Sequence, residues 1–374
     1  MLWHSFIHSM EWPKPPRSGP PLRLPDSSVV VRLGGSDQAA SDCPARPRLA
    51  YQVTGCIRAL NASLPHKLAN VRAAQDAGFD VDLYCVLEEC VRSKAWHESS
   101  APVEDAGRAA LVVDSLVGGF RAIAGPCAEV RCAWWASGAG LFKRSLRHGA
   151  NHDAQQPLAL KPEYRSAHPE YPYPRHECTP YNGQVFCTVE NVLAQAHKLV
   201  LVGQLRMQTG RSPYAAVWRN RPDFFSKGHD WPRIKALVHF WVAHNESRFQ
   251  YALPAQDPAH PALHFTDVEA LLSERAAERY ESLWYSIPAL YRAGVLLHPE
   301  KMLLRHMSGG QALGEGEAPS KVMVRDLKAL RSVVVCRMLY QQSGRVEAGW
   351  WQPLLNRHGL SNQSWCDGTP MAPS

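Results

Sequence analysis

The sequence predicts an α/β fold, a mostly parallel sheet flanked by helices, on three observations. Strand-like, helix-like and again strand-like runs follow one another from residue 48 to 88. A further helix-like run and strand-like run extend that order to about residue 137, and another such pair spans residues 188 to 218. Strands that alternate with helices need crossover connections, and crossovers join parallel strands.

The elements follow in chain order. Residues 1 to 47 hold Pro13, Pro15, Pro16, Pro20, Pro21 and Pro25 and no apolar period, so a loose arm is expected. "RLAYQVTG" is a short apolar strand ending at Gly55. "ASLPHKLANVRAAQDAG" sets Leu64, Leu68, Val71 and Ala74 at helical spacing, with Gly78 as its C-cap. "FDVDLYCVLE" is the next strand, "RAALVVDSLVGGFRAI" the next helix and "EVRCAWWAS" the strand after it. Residues 145 to 185 are crowded with proline, tyrosine and histidine, and read as an irregular insertion: a solvated loop, or a lid whose aromatic rings meet a ligand. From Thr188 to Gln208, Val189, Val192, Leu193, Ala196, Leu199, Val200 and Met207 form a helical stripe, and "YAAVW" is the strand that follows.

The stretch from 262 to 287 has two readings. Thr266 and Glu269 make a capping box that would start a helix at Asp267. Alternatively "HFTDVEALL" is a strand and the helix begins at Ser273. "AGVLLHPEKMLLRHM" and "RSVVVCRML" are later apolar elements. The organisation expected is therefore an arm over 1–47, one α/β domain over 48–345 and a tail over 346–374, in which Trp350, Trp351 and Trp365 show little period.

Bulk properties narrow the function. A chain of 374 residues that is 45% hydrophobic can bury a sizeable core. The formal charge of +7 is dispersed along the chain, which favours an anionic small ligand over a nucleic-acid surface. No run approaches the length of a membrane span. His4 and His8 interrupt the apolar part of the N-terminus, which makes a poor signal peptide. A Golgi or ER lumenal location is expected if a signal or anchor lies upstream, and a cytoplasmic one otherwise. Ten cysteines are many for the cytosol, and there is no CxxC pair to suggest structural zinc. Cys85 and Cys336 sit in apolar runs as buried residues, whereas Cys178 and Cys187 flank a loop and could bridge. Sequons at Asn61, Asn245 and Asn362 lean towards a secretory lumen.

Chemistry concentrates in "AAVWRNRPDFF", residues 215 to 225. In extended backbone Arg219, Arg221 and Asp223 alternate onto one face. Pro222 keeps Arg221 out of helical geometry. Two guanidiniums on one face repel unless an anion joins them, and a diphosphate suits arginine forks. Asp223 could hold Mg²⁺ or Mn²⁺ bridging the same phosphates. A salt bridge finishing an edge strand is the plainer alternative. At the first strand-to-helix turn, Gly55 permits close approach of a ligand, and Arg58 lies near a helix start that favours phosphate. There is no G-x-G-x-x-G for a dinucleotide and no P-loop sequence.

A strand ending in "TGCIR", an R-x-R-P-D strand end, then "TDVEALLSERAAERYESLW" and "HPEKMLLRHM", together resemble GT-A-type glycosyltransferase-like proteins, over landmarks from about residue 49 to 310. The resemblance implies a Rossmann-like GT-A sheet and transfer of a sugar from a nucleotide-diphosphate donor to a hydroxyl acceptor on a glycan, lipid or protein. It implies that Gly55 and Arg58 face the diphosphate, and that Arg219, Arg221 and Asp223 stand in for the Asp-x-Asp metal motif. Asp267 would be the catalytic base near the acceptor, and Glu300 and His306 would close the site. It also favours the strand reading of 264–272. The missing Asp-x-Asp leaves an inactive sugar- or partner-binding relative as the alternative.

Overall fold

The computed structural model describes residues 22–26, 28–33, 43, 46–57, 60–89, 106–135, 140–142, 159–173, 179–181, 184–186, 189–222, 224–226, 229–243, 252–254, 269–307 and 332–335. The alternation read from the sequence holds. Strand β1 (Val29–Leu33) precedes β2 (Arg48–Cys56), α1 (Leu60–Asp76), β3 (Asp80–Glu88), α2 (Ala106–Ala124) and β4 (Val130–Trp135). A short α3 (Pro162–Arg165) and the hairpin β5 (Thr179–Tyr181) and β6 (Gln184–Phe186) lead to α4 (Val189–Met207) and β7 (Ala216–Asn220). Then come β8 (Phe224–Ser226), α5 (Trp231–Ala243), β9 (Ala252–Pro254), β10 (Glu269–Leu272), α6 (Glu274–Glu281), α7 (Leu283–Arg292), α8 (Pro299–Met307) and β11 (Ser332–Val335).

Seven strands form the main sheet in the order β1-β4-β3-β2-β7-β10-β9. The four central strands are parallel, but β1, β10 and β9 all pair antiparallel. The expectation of a mostly parallel sheet is thus corrected: the sheet is mixed, with a parallel centre and antiparallel margins. Sequence periodicity could not reveal this, because the direction of a strand depends on which neighbour it finds.

The central strands are buried on both faces, which explains their near-continuous apolar runs. Val53, Leu83, Cys85 and Trp218 face a layer made by α1, α2 and α5. Ala50, Tyr84, Val86 and Val217 face the opposite layer, made by α4, α6, α7 and α8. The stripe Val189, Val192, Leu193, Ala196 and Leu199 is the face that α4 buries there. Gly78 closes α1 at φ +93°, a conformation costly for any residue with a Cβ.

Three expectations change. The arm is not loose throughout, since Val29–Leu33 forms the sheet edge beside β4 and Cys43 is disulfide-bonded to Cys127. Within the insertion, Tyr164, His168 and Tyr173 are buried in the α4-side core instead of lying in a solvated loop. The capping-box reading of Thr266 and Glu269 fails. Glu269 opens β10, with its carboxylate fully buried, and α6 begins only after Ser273, whose Oγ accepts from Ala276 N at 3.4 Å. Cys85 is buried and free, as expected, whereas Cys178, Cys187 and Cys336 lie outside the described residues. No helix among the described residues is long and apolar enough to cross a membrane.

Candidate functional site

The strand order reverses between β2 and β7. From β2 the chain moves outward through β3 to β4, then returns to place β7 on the other side of β2. The helices α1 and α4 that serve these two neighbours lie on opposite faces. A sheet of this kind binds its ligands outside the carboxyl ends of the strands at such a reversal. Gly55 and Asn220-Arg221-Pro222 are the carboxyl ends of β2 and β7.

The two sequence motifs meet there. Gln52 pairs with Arg219 and Val53 with Asn220 in parallel register. Gly55 has φ +143°, and a Cβ built on it would lie 2.9 Å from Pro222 Cδ. Only glycine lets the first turn pack against the proline of the second motif.

Arg219 is fully buried on the α4 face of the sheet. Its Nε lies 3.4 Å from Thr54 Oγ1, and its guanidinium carbon sits 5.8 Å from the centre of the Tyr280 ring. Both terminal nitrogens are buried and bond to nothing among the described residues. Among the described residues, then, this guanidinium is a cation held out of water without a counter-ion. Arg221 follows at the strand end and is half-buried.

On the α1 face the same strand end is gripped by a polar stripe. Lys67 Nζ donates to Asn220 Oδ1 and, at 2.7 Å, to Arg221 O. Ser63 Oγ donates to Pro222 O at 2.5 Å. Asn220 Nδ2 donates in turn to Glu269 Oε1 at 2.9 Å. That oxygen also receives Trp218 Nε1 at 2.8 Å and His229 Nε2 at 2.9 Å. His229 N is held at 3.0 Å by Asn70 Oδ1 on α1.

One strand over, Glu88 ends β3 with Oε2 on Lys198 Nζ at 2.5 Å. Beside it Trp135 Nε1 is buried, with no partner among the described residues. Lys198 projects from α4, so this pair and Arg219 occupy the same face of the carboxyl edge. Sequence reasoning missed Glu88, Lys198 and Lys67. The available signal was a lone carboxylate at the end of a predicted strand, and polar residues at helical spacing where α1 should have been apolar.

The remaining predicted residues divide. Arg58, Asp223 and Asp267 lie outside the described residues. Glu300 is half-buried in the first turn of α8. His306 is buried in the last turn of that helix, where Nε2 bonds Arg279 O at 2.5 Å and approaches Ser282 Oγ at 3.3 Å. Burial pushes its pKa down to about 4. Its ring stitches α8 to the corner between α6 and α7. Among the described residues no three His, Cys, Asp or Glu side chains converge as a metal site. The carboxylates described at this edge are already committed, Glu88 to Lys198 and Glu269 to three donors. These two carboxylates do not fit a hard-cation shell.

No model of a known protein family matches the chain, and no curated protein does.

Proposed function

We propose that the chain is a glycosyltransferase that takes a sugar from a nucleotide diphosphate and passes it to a hydroxyl. The observation that carries this reading is the buried guanidinium of Arg219, which has no counter-ion among the described residues at the strand reversal beside the Gly55 turn. A diphosphate would supply the missing negative charge and accept the free N–H groups.

The chemistry follows from that placement. The acceptor oxygen forms a bond to the anomeric carbon while the bond from that carbon to the diphosphate breaks. The electron pair leaves with the diphosphate, and the acceptor proton passes to a base. Arg219 and Arg221 stabilise the charge that grows on the leaving group. Asp267 is the base that the family resemblance nominates. Glu88, in the neighbouring β3, offers Oε1 to a hydroxyl of the donor, with Lys198 holding the other oxygen.

A lumenal compartment accords with this activity. Cys43 is bonded to Cys127 and Cys56 is also disulfide-bonded, which is usual for oxidising surroundings.

A thermal-shift screen against UDP-, GDP- and dTDP-sugars, with and without Mn²⁺, tests the reading. One nucleotide class should stabilise the protein, and ~100 Kd of it should add about 2.7 kcal/mol. Release of free sugar from that donor then separates a transferase from a protein that only binds. No shift with any of the three classes would remove the basis for the proposal.

A further inference from the structure

The polar stripe of α1 is the second feature of this site that ordinary packing does not explain. Ser63, Lys67 and Asn70 lie at spacings of four and three residues, so they share one face of the helix. That face points into the protein: Ser63 is 0%, Lys67 2% and Asn70 3% exposed. An amphipathic helix on a sheet would put leucine or valine there. Polar groups retained in such a place must be hydrogen-bonded.

Their bonds have a common target. Lys67 Nζ takes the carbonyl of Arg221, and Ser63 Oγ takes the carbonyl of Pro222, the next residue. These are the first backbone acceptors beyond the last ladder pair of β7. Lys67 also grips Asn220 Oδ1, which leaves the Asn220 amide free to donate to Glu269. Residues 220 to 222 are thus fixed from the α1 side, while Arg219 points to the opposite face.

We propose that Lys67 is a positioning residue: from α1 it fixes the end of β7 so that Arg221 joins Arg219 on one diphosphate. This rests on the diphosphate reading of the site. A lysine suits the task because one ammonium offers three donors in different directions, enough for a side-chain carbonyl and a backbone carbonyl together. Methionine has nearly the same length and shape but no donor. In K67M the Arg221 carbonyl loses its hold, and the strand end is free to swing.

Calorimetric titration with inorganic pyrophosphate tests this on the full chain. Wild type binds, and R219M and R221M each bind at least tenfold more weakly. K67M also binds at least tenfold more weakly. The double variant K67M/R221M binds no more weakly than R221M alone, because Lys67 acts through that residue. A general loss of stability would give additive losses instead. Additive losses, or K67M binding as wild type does, would overturn the positioning role while leaving the diphosphate site intact. If R219M and R221M themselves bind as wild type does, or if wild type does not bind, the site reading fails and the role of Lys67 with it. Should K67M not fold, S63A replaces it in the same cycle, since Ser63 holds the adjacent carbonyl.

Discussion

Replacing Arg219 by methionine should make the protein more stable and unable to bind its ligand. Each buried terminal nitrogen of Arg219 lacks a partner among the described residues, and an unsatisfied buried donor costs about 1 to 3 kcal/mol. Methionine keeps an unbranched stem of similar bulk and removes both donors. Against that stands the loss of the contact with the Tyr280 ring, about 0.5 to 2 kcal/mol, and of the long bond to Thr54, about 0.5 to 1.5 kcal/mol. The net expectation is a ligand-free protein more stable by about 1 to 3 kcal/mol. For a domain of this size that raises Tm by about 2 to 6 °C. The assay is differential scanning fluorimetry of wild type and R219M, each with and without the nucleotide identified in the screen. Without nucleotide the variant should melt higher. With nucleotide, wild type should gain and the variant should not move. A ligand-free variant that melts several degrees below wild type would refute the reasoning, because it would mean that the fold itself satisfies the guanidinium.

Three further outcomes are expected. A Cβ at Gly203 in α4 would come within 2.7 Å of Glu281 Cδ and push that carboxylate off Arg206 and Gln52, so G203A should destabilise by about 2 to 4 kcal/mol despite alanine's better helix propensity; urea unfolding at or above the wild-type midpoint would contradict this. Burial holds His168 and His197 at about 3 and His306 at about 4, below their unfolded value of about 6.5, so the stability from their neutral forms is complete above that pH and lost as pH falls through it. Three protons give a loss of up to about 4 kcal/mol per pH unit below pH 6, offset in part by Asp82, whose pKa burial raises; urea midpoints that stay flat from pH 6.5 to 5 would count against it. Removing the Cys43–Cys127 bond with C43S/C127S should cost about 4 to 5 kcal/mol for its 84-residue separation, and an unchanged midpoint would show that the unfolded chain does not gain the freedom assumed.

Much of the architecture was legible. The α4 stripe and the runs of β2, β3, β4 and β7 are apolar because both sheet faces are covered, and no other pattern competes with that signal. The placing of Gly55 and Arg219 near strand ends was also legible, because each closes an apolar run. The failures have a shared cause. Lys67 and Ser63 look like a solvent face, Glu269 looks like a helix cap, and "VVVRL" is too short to stand out from a proline-rich arm. Each is settled by a partner distant in sequence: Arg221 and Pro222 for the α1 stripe, Trp218 and His229 for Glu269, and residues 130–134 for β1. Local patterning carries no information about such partners.

The place of β1 also sets a schedule for the newborn chain. Val29 pairs with Trp134, so the strand emerges 105 residues before its neighbour exists. At about 5 to 20 residues per second, that leaves Val29, Val30 and Leu33 waiting on the order of 5 to 20 s with unpaired backbone. These side chains stay 48%, 37% and 39% exposed even after docking, so the waiting segment is an adhesive one. Cys127, the partner of Cys43, is made just before β4 and so becomes available for oxidation only as the strand's own partner arrives.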